Sequence, residues 1–260
     1  MINSINLNDL GLFSNIFKKK QPLLPLADLA SLKNDIHSHL IPGIDDGAQT
    51  MSDSLEMLKV FKESGYKKVI TTPHIMSDYY RNTPEIINAG LADLKKEIKS
   101  KGIDIEIEAA AEYNVEPDFE EIIKNDNVLT FGGSNKYVLI ELSFFSEPKR
   151  LNETIWALNN KGYSPVLAHV ERYEYWHNDL DKITEMINRG VKLQLNIGSL
   201  TGAYGPGIKK VANWLVDEKI VDLVGTDCHH LKHLDLLQLA RKLPKFHELI
   251  AQEQLLNSTL

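Results

Sequence analysis

The feature that most constrains this chain is a rhythm. From Asn34 onward, short apolar runs alternate with longer amphipathic ones. The short runs are Asp35–Leu40, Lys68–Thr72, Ile103–Ala111, Tyr137–Leu142, Ser164–His169, Lys192–Ile197 and Val221–Gly225. Several are β-branched and almost continuously apolar, as strands buried on both faces are. The amphipathic runs predict helices over Ser52–Ser64, Pro84–Ser100, Asn152–Lys161, Leu180–Arg189 and Ile208–Asp217. The first four stop at Gly65, Gly102, Gly162 and Gly190, and the fifth follows the turn Gly205-Pro206-Gly207. Helix, then glycine, then strand is the punctuation of βαβ units. Seven such strands fit either a parallel barrel or an open doubly wound sheet. No glycine-rich phosphate loop follows the first strand, so the nucleotide-binding form of the open sheet loses ground.

At 260 residues one large core is within reach, and 43% hydrophobic with 25% charged residues excludes global disorder. Residues 34–260 are expected to form a single domain, with residues 1–33 an extension that packs loosely on it. A weaker alternative makes Phe13, Ile16, Phe17 and Lys18–Lys20 an interfacial or partner-binding segment. The stretch Leu23–Ala30 makes a poor signal peptide, because Pro25 and Asp28 interrupt it. No apolar run approaches the roughly 18 residues of a membrane-crossing helix. A net charge of −7 argues against a general nucleic-acid surface. The single cysteine excludes an intramolecular disulfide framework and any cysteine-rich zinc module. The expectation is a cytoplasmic protein that is not integral to a membrane.

In parallel α/β folds the chemistry gathers at the carboxyl ends of the strands. Six of the seven expected strands end in metal-ligand residue types: His37 and His39 with the loop Asp45-Asp46-Gly47, then His74, Glu112, Glu141, His169, and Asp227 with His229. Residues two apart on a strand share a face, so His37 and His39 point together, and Asp227 and His229 are expected to do the same. Burying so many ionisable groups without compensation would be heavily unfavourable, and a cation cluster supplies that compensation. Nitrogen and oxygen donors without a cysteine ligand suit manganese, iron or zinc rather than calcium. Nine ligands, with bridging carboxylates, suit two or three ions. His177, His230, His233 and His247 are expected to be solvated or packing residues. Cys228 lies between two candidate ligands, so its sulfur should turn away from them. A cysteine-phosphatase loop would need arginine six positions later, where Leu234 stands. Ser38 and Ser199 have no evident base and orienting partner outside the cluster.

At these residues the chain resembles the polymerase-and-histidinol-phosphatase superfamily of metal-dependent phosphoesterases. Within it, the chain is most similar to the manganese-dependent protein-tyrosine phosphatases of bacterial capsule and exopolysaccharide operons. The similarity is carried by Asp-Ile-His-Ser-His-Leu-Ile-Pro-Gly-Ile-Asp-Asp-Gly (35–47), Thr71–His74, His169–Tyr173 and Gln194–Gly202, in order from about Asn34 to about Pro244. The resemblance implies a distorted seven-stranded (β/α) barrel. It implies a first metal site of His37, His39, Glu112 and Asp227. Glu112 would bridge to a second, completed by Glu141 and His169, and Asp46, His74 and His229 would form a third. Arg172 matches the arginine that meets the substrate phosphate, and the expected catalytic side chains are Arg172, Asp46 and His229. One departure stands out: the family's Phe-Gly followed by a basic residue is here Tyr204-Gly205-Pro206-Gly207.

The implied activity is hydrolysis of phosphotyrosine by metal-activated hydroxide, with manganese as cofactor. The implied partner is the tyrosine-rich tail of a membrane-associated tyrosine kinase, and a homo-oligomer stays open. Three alternatives stand beside this reading. One is a small-molecule phosphatase of the same superfamily, such as a histidinol-phosphate phosphatase. Another is a metal-dependent amidohydrolase, disfavoured because its usual bridging lysine is here Glu141. The third is a barrel without activity serving as a binding module.

Overall fold

A computed structural model describes residues 22–260. Within them the chain builds parallel sheets with helices on their outer faces. The elements are β1 (Asn34–Asp35), α1 (Met51–Glu63), β2 (Lys68–Thr71), β3 (His74–Ile75), α2 (Pro84–Ser100), β4 (Glu106–Ala109), β5 (Glu112–Asn114), α3 (Pro117–Lys124), β6 (Tyr137–Glu141), α4 (Leu151–Asn160), β7 (Ser164–Leu167), α5 (Asp181–Asn188), β8 (Lys192–Asn196), α6 (Pro206–Asp217), β9 (Leu223–Gly225), α7 (Leu231–Ala240) and α8 (Pro244–Ile250).

Among the described residues every pairing between these strands is parallel. One sheet has the order β1-β2-β4 and the other β3-β5-β6-β7-β8-β9. This differs from seven uninterrupted strands. The second run breaks after Thr71 because Pro73 has no N–H to give the ladder. The third breaks at Ala110-Ala111 opposite that proline, although Ala110 N–H still donates to Thr71 O at 2.9 Å and Glu112 N–H to Pro73 O at 3.1 Å. The first run keeps strand pairing only over Asn34–Asp35, but a parallel bridge of Ser38 with Cys228 brings its continuation against the segment after β9.

Two apolar layers follow from the two-residue period of the strands. Ile36, Ile70, Leu139, Val166, Ala168 and Leu223 face one another inside, with Phe131, Tyr137, Leu256 and Leu260 packed among them. Val69, Val138, Ile140, Leu167, Leu193 and Leu195 face outward into the larger layer under the helices. The helices begin as their sequences suggest. Thr50 and Asp53 form a reciprocal cap at the start of α1, and Thr83 caps α2 with Pro84 in its first turn. Residues 22–33 pack onto the last helices: Ala27 N–H donates to Arg241 O at 2.9 Å, and Leu29 and Leu32 are buried. Phe13, Ile16, Phe17 and Lys18–Lys20 lie outside the described residues.

At the end opposite the strands' carboxyl termini, Asn257 joins distant segments. Its side chain accepts from Val224 N–H at 2.9 Å and donates to Val224 O at 2.8 Å and Asn34 O at 3.0 Å. Asn34 returns a bond to Asn257 O at 2.7 Å. Asn257→Ala leaves several buried backbone groups unpaired and is expected to destabilise the fold by about 2–4 kcal/mol. Urea denaturation measures this, with the exposed neighbour Thr259→Ala as control. A change within about 0.5 kcal/mol would mean that the amide does not hold these segments together.

Candidate metal centre and active site

The site lies where the strands deliver their carboxyl ends. Glu112, first residue of β5, sits at its middle with no exposed surface. Its Oε2 is 3.2 Å from His37 Nε2, 3.4 Å from His39 Nε2 and 3.2 Å from His74 Nδ1, while Oε1 is 3.2 Å from His169 Nε2. Neither Glu112 oxygen receives a hydrogen bond despite this company. Glu141, ending β6, lies 3.3 Å from His169 Nε2 through Oε1. Asp227 Oδ1 is 3.4 Å from both His37 Nε2 and His229 Nδ1. Asp46, half-exposed, places Oδ1 3.5 Å from His74 Nε2 and 3.4 Å from His229 Nε2.

Neighbouring acceptors settle which imidazole nitrogens carry protons. Gln194 Oε1 accepts from His169 N–H at 2.8 Å, and a backbone N–H can only donate, so this atom is the oxygen. It lies 3.1 Å from His37 Nδ1, which therefore carries the proton and leaves the Nε2 lone pair facing Glu112. Asp45 Oδ2 does the same at 2.8 Å from His39 Nδ1, as does the Asp227 carbonyl at 3.0 Å from His229 Nδ1. Three lone pairs thus converge on a volume that also holds carboxylate oxygens. Acceptors facing acceptors in a buried site fit a divalent cation.

The charges agree. Burial works to raise the pKa of Glu112, but the charges of His37 and His74 outweigh it and hold the carboxyl well below its ordinary range. Burial works to lower the pKa of His169, but the carboxylates of Glu112 and Glu141 beside it outweigh that and lift the ring to about 10. Protons on imidazoles and cations between them are alternative ways to neutralise the same carboxylates.

All nine sequence-chosen residues come together. Four groups have donor atoms within 4.8 Å of one another: His39 with Asp46, His74 and His229; His37 with His39 and Glu112; His37 with His169 and Asp227; and His74 with Glu112 and Glu141. The convergence at two corners does not come from strand alternation. β9 ends at Gly225 and β7 at Leu167, and Asp227 and His169 adopt left-handed backbone with φ of 50° and 30°. Such conformations cost on the order of 1–3 kcal/mol each and turn these side chains into the site.

Arg172 reaches the same cavity, of 280 Å³, from the short helical turn after β7. Its Nη1 donates to Asp227 Oδ2 at 2.8 Å, and Asn196 Nδ2 donates to the same oxygen at 3.1 Å. His230 and His233, expected to be solvated or packing residues, line the cavity wall, His230 with its surface exposed. His233 Nδ1 sits 2.9 Å from Asp227 O, and burial lowers its pKa to about 4. His177 and His247 stay outside, with Nε2 on the carbonyls of Glu171 and Pro25. Asp45 and Gln194 have orienting roles that the sequence reading did not assign. A polar glutamine inside an apolar run marks Gln194 as unusual in the sequence, but nothing local shows its partner.

Among the described residues no serine or cysteine lines this cavity. Ser199 Oγ donates to Glu171 Oε1 at 2.6 Å, and Ser38 Oγ to Ile70 O at 3.3 Å. Cys228 is fully buried with its sulfur 3.6 Å from Met57 Sδ, and burial, then the charges of Asp35 and Asp227, push its thiol pKa well up. Cys228→Ser is therefore expected to keep most phosphoester turnover. Loss of turnover with metal content intact would restore a role for the thiol.

A parallel α/β fold with imidazoles and carboxylates gathered at its carboxyl edge is the scaffold and site of a metal-dependent hydrolase. The chain belongs to the CpsB/CapC family of capsular polysaccharide synthesis, whose family model matches residues 33–244. It is 29% identical to the tyrosine-protein phosphatase YwqE of Bacillus subtilis over 76% of this chain and 78% of that one. It is 28% identical to a putative tyrosine-protein phosphatase CapC of Staphylococcus aureus over 82% and 85% of the two chains. A crystal structure from the pair YwqE of Bacillus subtilis and CpsB of Streptococcus pneumoniae, described as metal-dependent tyrosine phosphatases, superposes with a TM-score of 0.74 at 26% identity, covering 87% of this chain and 94% of that one.

Proposed function

We propose that the protein is a manganese-dependent protein-tyrosine phosphatase acting in capsule or exopolysaccharide synthesis. The observation that carries this reading is Glu112, a buried carboxylate without a hydrogen bond, ringed by four imidazoles beside the guanidinium of Arg172. His37, His39, Glu112 and Asp227 would hold one cation. Glu112, Glu141 and His169 would hold a second, and Asp46, His74 and His229 a third. Bound divalent cations supply a water whose pKa falls from 15.7 towards about 7 and a counter-charge for phosphoryl oxygens. Asp45 and Gln194 keep the His39 and His37 lone pairs directed inward. Arg172 presents a planar fork to two phosphoryl oxygens. The leaving phenolate has a parent pKa near 10, so a strong general acid is not demanded.

The relatives' names support phosphotyrosine as substrate, and we assign the tyrosine-rich tail of a membrane-associated tyrosine kinase as the protein that carries it. Among the described residues no helix is long and apolar enough to cross a membrane. We read β2 with β3, and β4 with β5, as interrupted single strands of a distorted seven-stranded barrel within one domain spanning 34–260. The Ser38–Cys228 bridge and the hydrogen bonds across both breaks support that reading.

The test is hydrolysis of para-nitrophenyl phosphate after chelation, followed by add-back of single metals. Manganese is expected to restore most activity, with vanadate a weak inhibitor; undiminished turnover after chelation would overturn the metal-dependent reading. Phosphotyrosine peptide and histidinol phosphate at equal metal load then separate the protein phosphatase from the small-molecule one.

A further inference from the structure

Arg172 is the only lysine or arginine among the described residues lining the cavity, so the protein's permanent positive charge for an anion rests on one side chain. Three groups approach that side chain. Asp227 takes Nη1 at 2.8 Å. The Phe144 ring lies 4.8 Å from its guanidinium carbon and the Tyr204 ring 5.0 Å. Phe144 comes from the loop after β6 and Tyr204 from the loop before α6, so two separate segments contribute the rings. Phe144 is in turn stacked on His169 at 5.5 Å and 29°, which ties the clamp to the metal-facing imidazoles. Phe144 is 43% exposed, so its ring lines the open side of the cavity.

We infer that Phe144 and Tyr204 are positioning residues that hold the Arg172 guanidinium between two aromatic faces for phosphate binding. A guanidinium stacks on aromatic faces while its in-plane donors remain available, which a hydrogen-bonding clamp would not allow. Asp227 alone fixes one nitrogen and leaves the plane free to swivel about it. The two rings set that plane, so the remaining N–H groups present a preformed fork and less ordering is needed when an anion binds. The same contacts give the Tyr204-Gly205-Pro206-Gly207 loop a role: it contributes a ring to the arginine and no cation to the anion.

This inference rests on the phosphoesterase reading, and the experiment separates the two. Inorganic phosphate affinity of the manganese-loaded protein is measured by calorimetry, beside para-nitrophenyl phosphate turnover, for Phe144→Leu, Tyr204→Leu and Tyr204→Phe, each alone and with Arg172→Lys. Phe144→Leu and Tyr204→Leu are expected to weaken phosphate binding and lower kcat/KM by roughly five- to thirtyfold, the scale of one desolvated cation–π contact. Tyr204→Phe, which keeps the ring, should recover most of what Tyr204→Leu loses. In the Arg172→Lys background the ring substitutions should have little further effect, whereas a ring that merely packs the loop would impair both backgrounds equally. Equal losses in the two backgrounds, or unchanged phosphate affinity in both leucine variants, would overturn the clamp while leaving the phosphatase reading intact. Absent turnover in the parent protein, with phosphate affinity still governed by the rings through Arg172, would overturn the phosphatase reading and keep the clamp.

Discussion

Asp227→Asn is expected to lower turnover of para-nitrophenyl phosphate by at least about a hundredfold at saturating manganese, while the protein stays folded. The asparagine keeps the shape that fills the space between the imidazoles and Arg172 and removes only the charge. Asp227 Oδ1 faces His37 and His229 at 3.4 Å and His39 at 3.6 Å, and Oδ2 holds Arg172, so under the proposed assignment the substitution would weaken a metal position and its neighbouring anion position together. Loss of one metal-ion role is worth several kcal/mol, and each 1.4 kcal/mol is tenfold in rate. His37→Ala should have a comparable effect by deleting one ligand. Either variant retaining more than about a tenth of the parent rate, with the parent's metal content, would remove that residue from the site.

Arg172→Lys should do more harm than conservation of charge suggests. Lysine loses the two-pronged planar donor and the flat face that approaches the Phe144 and Tyr204 rings. Since an arginine of this kind acts mainly on the transition state, kcat and kcat/KM should fall together, by roughly tenfold to a thousandfold. The ion pair to buried Asp227 already places the side chain inside rather than on the rim. Near-normal turnover of the small substrate would nevertheless exclude Arg172 from the chemistry, whatever happens to KM for a long peptide.

What could be read from the residues followed how local each signal was. The helix Pro84–Ser100 has the bounds expected of it, because Thr83, Pro84 and Gly102 mark both ends within a few residues. Helices α3, α7 and α8 were not anticipated. None is followed by the glycine that marks the ends of α1, α2, α4 and α5, and the residue at the cap of α7 is His230, which reads as part of the metal motif. The strand runs were read too long because apolarity continues where pairing stops, as at Val221, which precedes β9. The candidate ligands were legible because their residue types are rarely buried and here recur at strand ends. Gln194 was not, since its meaning depends on His37, 157 residues away. Phe144 escaped notice for the same reason: an aromatic residue in a loop carries no mark of the guanidinium that it will face.

The Asn257 stitch has a temporal side. Asn34 and Asn257 are 223 residues apart, and synthesis at about 5–20 residues per second separates their appearance by roughly 10–45 s. Through that interval β1 can pair with β2, while the face that later meets the segment after β9 is an open strand edge. Open edges recruit other chains. The nascent protein is therefore most exposed to mispairing during its own production, and conditions that slow elongation should lower soluble yield more than they lower the stability of the finished fold.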